Sequence, residues 1–421
     1  MNDSLTALKV RAQLEKFLGV FSPQFSKPEL NFLGDMLYGL QAEKDVRLSC
    51  IGRGLLEDID PGKTEERLSR NLKREGLAEK IFDAVAKEGA RHVGEDTIIA
   101  VDPTDIRKLY AKRMPFLATV RDGSADGLAK GYWCCAAVAC EGGGRRITPL
   151  HLRLWSHEAD GFVSENAEIF AAVDAVRAHA GKRGVYAVDR GGDREELYNH
   201  FLDNGLRFVV RLVGNRNLVS RKREILAERL ALRCPMLYAE TIRRETPEGE
   251  RAYQIEYGSM RVRLPWRDEE LRMVVVRGFG DRPMMLLTTL AAEDSRKALW
   301  QAVEGYLARW RVEDAIRFIK QSYRLESVRL LDYTRLRNMM AIVLAAAYFA
   351  SAWLGRSLRK DILVGNITRV SRRLFGVAEF HYYAIADGIA ALFRRYGKWA
   401  GKTATPEAPA HPELPLFFSS S

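Results

Sequence analysis

The first ninety residues show a helical pattern. Apolar positions recur there every three or four residues with charged residues between them, which is typical of helices that bury one face. A first helix is expected to end near Glu57, and a second to begin near Thr64, because the DIDPGK segment between them contains Pro and Gly, which break helices. We therefore predict a helical domain over residues 1–90.

The pattern changes at about Asp96. Three short apolar runs, TIIAV, VYAV and RFVVRL, predict buried strands, and amphipathic stretches between them predict helices. GYWCCAAVAC and RITPLHLRLW flank a glycine-rich segment and predict a β-hairpin. Buried strands that alternate with helices are typical of a mixed α/β sheet with helices on its faces. We predict that residues 91–213 form the first part of such a core.

The rest of the chain divides into four further segments. Short β-type runs separated by charged turns predict a β-rich insertion over residues 214–290. Helical patterns then resume, and we assign residues 291–330 to the second part of the core and residues 331–400 to a C-terminal helical region. The tail at 401–421 is rich in proline and small residues, which predicts disorder.

One uncharged stretch requires a membrane test. Residues 339–354 carry no charge, but they fall short of the roughly 20 residues that cross a bilayer, and alanine and serine dilute their hydrophobicity. We predict a helix buried inside the protein and no membrane partner. The start of the chain also lacks the long apolar run of a signal peptide, so we expect a cytoplasmic protein.

Charge indicates the class of partner. The net charge is +11 and the isoelectric point is about 9.4, which favours a polyanion such as nucleic acid. Arginine, with its planar fork of donors, suits phosphate. On the helix that begins near Thr64, Arg67, Arg70 and Arg74 share one face, which is the outline of a DNA-binding helix pair; a solvated basic face on a small bundle is the alternative.

Two aspartates follow predicted strands. Asp102 comes after IIAV and Asp189 after VYAV, and ligands of open α/β sheets bind outside the carboxyl ends of the strands. Together with Glu313 from a later helix, they would supply oxygen ligands for a two-metal site that attacks phosphorus in line. Asp193 is better explained as the cap of the helix that follows it, with Glu196 three residues on. Asp105 stays an alternative to Asp102.

A third signal lies in the segment YLARWRVEDAIRFIK. If it forms one helix, then Tyr306, Arg309, Glu313 and Lys320 lie within an arc of roughly 60°. A carboxylate flanked by two cations and a phenol suits a site that holds a metal ion and a phosphate backbone. Spacing alone leaves open a surface helix with ion pairs one turn apart.

Other chemistries are less well supported. Cys135, Cys140, His151 and His157 come near the spacing of a zinc site, but the two cysteines lie five apart on one strand and point to opposite faces. Buried cysteines acting as small apolar residues are the better interpretation. The glycines at 142–144 lack the lysine and hydroxyl residue of a phosphate-binding loop, and no nucleophile-elbow motif supports serine catalysis.

These residues resemble a known family. The order Asp, Asp, Glu, with Glu313 inside Tyr-x₂-Arg-x₃-Glu-x₆-Lys, resembles the DDE transposases of bacterial insertion sequences, and among them the "insertion sequence four" family with the Tyr-Arg-Glu-Lys signature. Asp102 in IIAVDPTDI and Asp189 in YAVDRGGDREEL match the first two motifs. The resemblance covers roughly residues 40–395.

The resemblance implies a fold, an activity and partners. It implies a ribonuclease-H-like mixed sheet core with a β-rich insertion between the second aspartate and the glutamate, an N-terminal helical domain and C-terminal helices. It implies cleavage at element ends and strand transfer with two Mg²⁺ (or Mn²⁺) ions held by Asp102, Asp189 and Glu313, while Tyr306, Arg309 and Lys320 grip the DNA. The expected partners are the element ends and target DNA, bound by a homodimer at the bacterial nucleoid.

Two alternatives remain at this stage. A silent or repurposed copy would bind DNA without cutting it, although the intact set of acids argues against decay. Another two-metal nuclease on the same fold would cut without preference for element ends. Basic residues beyond the signature would supply salt-sensitive affinity for DNA in each case; they are Lys108, Lys112, Arg113, Arg317, Arg324, Arg335 and Arg337.

Overall fold

The computed structural model describes most of the chain. The described residues are 2–108, 111–122, 127–141, 146–246, 249–290, 295–354, 358–371, 382–397 and 399. The tail predicted to be disordered, residues 401–421, lies outside them.

The N-terminal segment is helical, as predicted. Its helices are α1 (Asp3–Leu18), α2 (Lys27–Glu43), α3 (Leu48–Gly54), α4 (Pro61–Leu72) and α5 (Leu77–Ala90). α2 begins with a capping box in which Ser26 and Glu29 satisfy each other's backbone N–H groups. At α4 the Asp60 side chain accepts hydrogen bonds from the first turn, and Pro61 provides a preset helical φ.

A mixed sheet follows the helices. Its first strands and helices are β1 (Ile98–Arg107), β2 (Ala118–Asp122), β3 (Gly127–Glu141), β4 (Arg146–Trp155), α6 (Glu165–Ala180), β5 (Val185–Val188), α7 (Glu195–Asp203) and β6 (Arg207–Arg211). β1, β3 and β4 form an antiparallel meander, whereas β5 and β6 run parallel to β1. The spatial order β4-β3-β1-β5-β6 with these directions is that of a ribonuclease-H-like core, so the predicted fold class is confirmed.

The segment 214–290 is rich in strands and extends the same sheet. It contains β7 (Asn217–Ser220), β8 (Arg223–Leu226), α8 (Ala227–Arg233), β9 (Tyr238–Thr246), β10 (Gly249–Val262), β11 (Leu271–Arg277) and β12 (Met284–Thr288). β12 pairs with β6, and β11, β10 and β9 continue the sheet outward, whereas β7 and β8 form a separate hairpin. The division of the chain into domains at residues 213 and 290 stays a prediction.

Helices complete the described part of the chain. They are α9 (Arg296–Ala308), α10 (Trp310–Ser322), α11 (Tyr333–Tyr348), α12 (Leu358–Val370) and α13 (Tyr382–Tyr396). α11 continues as a π-helical turn, Phe349–Trp353. The helical stretch from Tyr333 to Trp353 is long and apolar enough to cross a membrane, yet 89% of its most apolar window is buried inside the protein. It packs against α5 and β4, as expected of a core helix.

The sheet is covered on both faces. Ile98 and Ala100 of β1 face a core that also contains α9, α10 and α11, whereas Ile99 and Val101 face a second core with α6 and α7. This alternation follows from the two-residue period of a strand. All five cysteines lie in the described part of the chain, are buried and form no disulfide, and the burial predicted for Cys135 and Cys140 is confirmed.

Candidate active site

Two of the predicted acids lie side by side where the parallel part of the sheet ends. β1 and β5 run parallel, and their last paired residues are Ala100 and Ala187. The same register, continued by two residues, sets Asp102 beside Asp189. The carboxyl ends of parallel strands are where α/β sheets bind ligands, so the two acids stand at the expected edge.

The strand that carries Asp102 is longer than the sequence predicted. β1 does not end at Asp102 but continues to Arg107, because its antiparallel pairing with β3 persists over its whole length. Beyond Ala100 the strand has lost its parallel neighbour, and a strand with one open side tolerates Pro103, which has no N–H group to donate. Asp102 is therefore held on a strand rather than in a turn.

Asp189 is held by a tight turn. It precedes a short 3₁₀ turn, Arg190–Gly192, and its Oδ1 accepts a hydrogen bond of 2.8 Å from the Gly191 N–H. A Cβ atom on Gly192 would collide with Val188, so this turn requires glycine. A carboxylate accepts several hydrogen bonds or ligands, and one bond to the backbone leaves Asp189 able to bind more.

Asp193 has a role that the sequence did not predict. It is not a helix cap, because α7 begins only at Glu195 with Arg194 at its N-cap. Its side chain is fully buried and accepts hydrogen bonds from the Val213 N–H (2.7 Å), Arg216 Nε (2.7 Å) and the Tyr198 hydroxyl (3.0 Å). Asp193 thus anchors the segment after β6, and this supports the choice of Asp189 as the ligand.

The signature segment forms two helices rather than one. α9 ends at Ala308 and α10 begins at Trp310, with Arg309 between them. Arg309 keeps helical dihedral angles, but its N–H bonds to Tyr306 O three residues back instead of four (3.1 Å). The two helices therefore follow nearly the same path, and the acid of α10 still lies one turn beyond the arginine.

Arg309 lies between two of the acids. Its Nη1 is 3.6 Å from Asp102 Oδ1, and its Nη2 donates a 3.2 Å hydrogen bond to Glu313 Oε1. The Arg309 side chain is 7% exposed, whereas the Glu313 side chain is 51% exposed. A buried guanidinium is costly unless paired, so the surrounding carboxylates explain its position.

The other two acids act electrostatically on Asp102. Its pKa is raised to about 7, mainly by burial; the charge of Arg309 lowers it, those of Asp189 and Glu313 raise it, and that of Lys320 lowers it. A carboxyl group beside other carboxylates resists ionisation. This is expected of a group that ionises when it binds a cation.

This pKa predicts how stability depends on pH. The folded protein holds the Asp102 proton up to about pH 7, whereas the unfolded chain releases it near 3.8, so the free energy of unfolding falls as pH rises between these values. Asp102→Asn should therefore stabilise the cation-free protein by up to about 4 kcal/mol at pH 8 and by less than about 1 kcal/mol at pH 4. Urea unfolding at both pH values measures this, and an equal effect at the two would contradict it.

The other signature residues differ in exposure. Tyr306 is 1% exposed, lies in the core and stacks against Arg309, whose guanidinium carbon is 5.6 Å from the ring centroid. This burial argues against the predicted contact between Tyr306 and DNA and indicates a residue that positions Arg309. Lys320 Nζ is 3.7 Å from Asp105 Oδ1, so Asp105 faces the same cleft as the signature lysine.

An open cleft of about 640 Å³ adjoins these residues. Its walls include Asp102, Asp105, Glu313 and Lys320, but not Asp189 or Arg309, together with side chains that the sequence analysis missed. These lining residues are Asp102, Thr104, Asp105, Arg107, Glu313, Ile316, Arg317, Lys320, Gln321, Arg324, Glu326 and Ser327. Thr104 was recoverable from the Asp-x-Thr pattern, but nothing in the sequence marked Arg107, which pairs with Glu326 at 3.3 Å.

The basic clusters predicted to contact DNA divide into two groups. Arg317 and Arg324 are 59% and 65% exposed on the cleft. Lys108 is instead buried, and its ammonium donates hydrogen bonds to the Glu326 and Val328 carbonyls. Lys108 therefore fastens two segments together and is not available to DNA.

The three N-terminal arginines also differ. Arg67 donates hydrogen bonds to Asp35 (2.5 Å) and Glu57 (2.6 Å), which argues against its predicted contact with DNA. Arg74 is half-buried, 3.9 Å from Glu29. Arg70 is exposed beside Lys73 and Arg335 around a surface hollow.

The three acids have the ligand chemistry of a divalent-cation site. Carboxylate oxygens are the ligands that Mg²⁺ and Mn²⁺ prefer, and Asp102, Asp189 and Glu313 offer only these. Within the described ranges, however, no three His, Cys, Asp or Glu side chains already converge as a metal-holding group. Arg309 provides the positive charge between Asp102 and Glu313. The three acids therefore have the right ligand type for either ion. In this structure the guanidinium of Arg309 compensates the negative charge of Asp102 and Glu313.

The part of the chain that carries the three acids matches a known family. The family model described as the transposase DDE domain matches residues 94–349, a span that includes all three acids. No curated protein sequence matches the chain. Among solved structures, a piggyBac transposase synaptic complex with hairpin DNA is similar with a TM-score of 0.46 and 11% sequence identity, covering 94% of this chain and 82% of that one.

Proposed function

We propose, since this chain belongs to the transposase DDE-domain family, that it is an active cut-and-paste DNA transposase. It would cleave DNA at the ends of a mobile element and join the freed ends to target DNA. Within the family we assign it to the "insertion sequence four" group, because residues 306–320 carry the Tyr-x₂-Arg-x₃-Glu-x₆-Lys spacing.

The observation that carries this proposal is that three acids from separate parts of the chain surround one buried arginine, Arg309, whose pKa all three raise. Asp102 and Asp189 come from neighbouring parallel strands, and Glu313 comes from a helix more than a hundred residues later. The charges of Asp189 and Glu313 both act on Asp102. Such a cluster of acids destabilises the free protein and therefore indicates a site kept for its chemistry.

Asp102, Asp189 and Glu313 would hold two Mg²⁺ (or Mn²⁺) ions. When bound, such ions make an attacking water or 3′-hydroxyl more acidic and stabilise the oxygen that leaves phosphorus. Asp102 must release its proton before it serves as a ligand, and Arg309 must yield its place beside Glu313. Arg309 would then bind a phosphate oxygen of the DNA strand, which a guanidinium holds through two parallel hydrogen bonds.

The cleft would hold the DNA backbone. Arg317, Lys320 and Arg324 line it, and their cations would contact phosphates on the strand next to the acids. Asp105 restrains Lys320, which leaves that ammonium oriented toward the cleft. We further propose that a homodimer pairs two element ends and acts in the bacterial cytoplasm at the nucleoid. This part of the proposal depends on the family resemblance.

End-specific cleavage tests the proposed function. Purified protein is incubated with Mg²⁺ and a plasmid that carries the DNA flanking this gene, beside a plasmid in which the flanks are shuffled. We expect double-strand breaks at the natural flanks, none at the shuffled ones, and none in either when EDTA replaces Mg²⁺.

The alternatives predict other outcomes of the same assay. Binding to the natural flanks without breaks would indicate a silent DNA-binding copy. Breaks in both plasmids with equal frequency would indicate another nuclease on the same fold, and either result would overturn the proposal.

A further inference from the structure

The connection between α2 and α3 packs against the end of α10. The Val46 N–H donates a hydrogen bond to the carbonyl of Tyr323 (3.1 Å), the residue that follows the last residue of α10. Gln41 of α2 and the Tyr323 side chain are both fully buried, and a 3.2 Å hydrogen bond between them joins the same two segments. The N-terminal helices are therefore fixed against the helix that carries Glu313.

A buried acid lies in this connection. Asp45 is 2% exposed, and its Oδ1 accepts hydrogen bonds from the backbone N–H and the Nε of Arg47, both of 2.9 Å. Its Oδ2 accepts one from Arg47 Nη2 (2.6 Å) and a longer one from Arg324 Nη1 (3.5 Å). One carboxylate thus holds the guanidinium groups of two arginines, from distant segments of the chain, side by side.

The two arginines outnumber the acid. Burial raises the pKa of Asp45, but hydrogen bonds from Arg47 and the charges of both arginines lower it more, so the carboxyl group stays ionised at neutral pH. The three side chains together therefore carry one net positive charge. The side chains of Arg47 and Arg324 are 35% and 65% exposed, so a second anion can reach both of them from solvent.

Arg324 faces the cleft that adjoins the acids. It lines this cleft together with Asp102, Glu313 and Lys320. Its backbone lies in the left-handed region, with a φ of 48°, where a side chain with a Cβ atom is strained and glycine or asparagine is favoured. Strain that is kept at the wall of a candidate active site favours a function for the side chain at that position.

We propose that Arg47 and Arg324, held side by side by Asp45, together bind one backbone phosphate of the DNA that lies in the cleft. The proposal rests on the proposed function, since it needs DNA in the cleft. Two guanidinium groups that contact the same carboxylate oxygen can direct donors to the same phosphate, and the planar fork of arginine matches phosphate geometry. The contact reads no bases. It would fix the N-terminal helices on the strand that the acids cleave, a role that the ion pairs of Arg67 argue against for that residue.

The test removes both cations without leaving a buried acid unpaired. Asp45→Asn alone is the reference, because it keeps both arginines. The triple variant adds Arg47→Gln and Arg324→Asn to it, and asparagine also suits a left-handed backbone. Relative to the reference, the affinity of the triple variant for the flanking DNA in about 0.1 M salt should fall about tenfold, and the slope of log K against log salt should become smaller by about 0.9, the value for one phosphate.

Arg91→Gln with Arg177→Gln is the charge-matched control. The side chains of Arg91 and Arg177 are 68% and 40% exposed and pair with Glu88 and Asp174. Arg91 precedes β1 and Arg177 lies in the last turn of α6, so both lie toward the edge of the sheet away from the acids. This control should keep the wild-type slope. Urea unfolding shows whether each variant is folded under the conditions of the titration.

A single substitution avoids the risk that the triple variant does not fold. Arg324→Asn alone leaves Asp45 paired with Arg47 and eases the strained backbone. It should weaken binding to the flanking DNA by about threefold. Binding as tight as that of the wild type would contradict the contact.

Three results of the salt titration would overturn the proposal in distinguishable ways. If the wild type cleaves its natural flanks but the triple variant keeps the slope of the reference, the two arginines only tie the N-terminal helices to α10, and the proposed function stands. A slope smaller by about 1.8 would assign the arginines to two phosphates rather than one. If the wild type neither binds nor cuts the flanks, the phosphate contact and the proposed function both fall.

Discussion

Replacing Glu313 by Gln should lower the rate of DNA cleavage by at least about a thousandfold while leaving DNA binding within about threefold of wild type. A neutral amide keeps the shape of the side chain and its position on α10, but it is a poor ligand for Mg²⁺. Loss of one ligand removes charge stabilisation at the phosphorus, and losses of this kind are typically several kcal/mol in the activation barrier. Single-turnover cleavage of an end fragment measures the rate, and fluorescence anisotropy measures binding.

A control on the preceding helix separates this effect from general damage. Glu304 is exposed on α9, beside a different hollow of the surface, and Glu304→Gln makes the same chemical change. It should cleave at the wild-type rate. If Glu313→Gln retains more than a tenth of wild-type activity, Glu313 is not a ligand.

Replacing Arg309 by Met should destabilise the protein without divalent cations by about 3–5 kcal/mol at pH 8. The change removes the buried cation beside Asp102 and leaves that carboxylate without its nearest positive charge, which is the costly way to break a buried ion pair, whereas Glu313 is half exposed and is stabilised by water. Added Mg²⁺ should recover more stability in this variant than in the wild type, because the ion replaces the lost positive charge. Thermal unfolding with and without 10 mM Mg²⁺ measures both effects.

The matched control for Arg309 lies two turns further on. Arg317 is exposed and pairs with Asp314 at 3.5 Å, so Arg317→Met should change stability by less than about 1 kcal/mol. If Mg²⁺ stabilised Arg309→Met no more than the wild type, Arg309 would not occupy the place of a bound cation.

Local patterns predicted the elements well. The apolar runs at 98–101, 185–188 and 207–211 became β1, β5 and β6, because a strand buried on both faces must be apolar throughout. The glycine-rich segment after residue 141 joins β3 and β4, as expected of a hairpin. Asp102 and Asp189 follow the first two of these runs. They lie at one edge of the sheet because the parallel pairing of β1 and β5 ends just before them.

The sequence did not predict contacts between segments that are far apart in the chain. The pairing of β1 with β3 carries the strand through Pro103 to Arg107, although proline in the sequence signals an end. In the sequence, Asp193 resembled a helix cap, because nothing near it indicates that its partner is Arg216, which lies 23 residues away. Lys108 resembled a DNA contact, but it binds carbonyls more than 200 residues further on.

The spacing of the signature residues predicted that they share one helix face, but not how deeply each of them is buried. The helical arc correctly placed Arg309 one turn from Glu313. It gave no information on which residues of the face are buried, and Tyr306 and Arg309 lie inside while Glu313 is exposed. Burial depends on the strands that α9 contacts, which range from β1 to β12, and the spacing of the signature residues does not show which strands these are.

The positions of the DNA breaks decide which three acids form the site. Cleavage of the natural flanks is mapped to the nucleotide in Mg²⁺ for the wild type, for Asp102→Asn, Asp189→Asn and Glu313→Gln, and for the controls Asp105→Asn and Glu304→Gln. The account predicts breaks at one defined position in each flank for the wild type and both controls, and none for the other three variants. Cleavage by any of those three at the wild-type rate, or its loss in Asp105→Asn with retention in Asp102→Asn, would contradict the assignment of Asp102, Asp189 and Glu313 as the site.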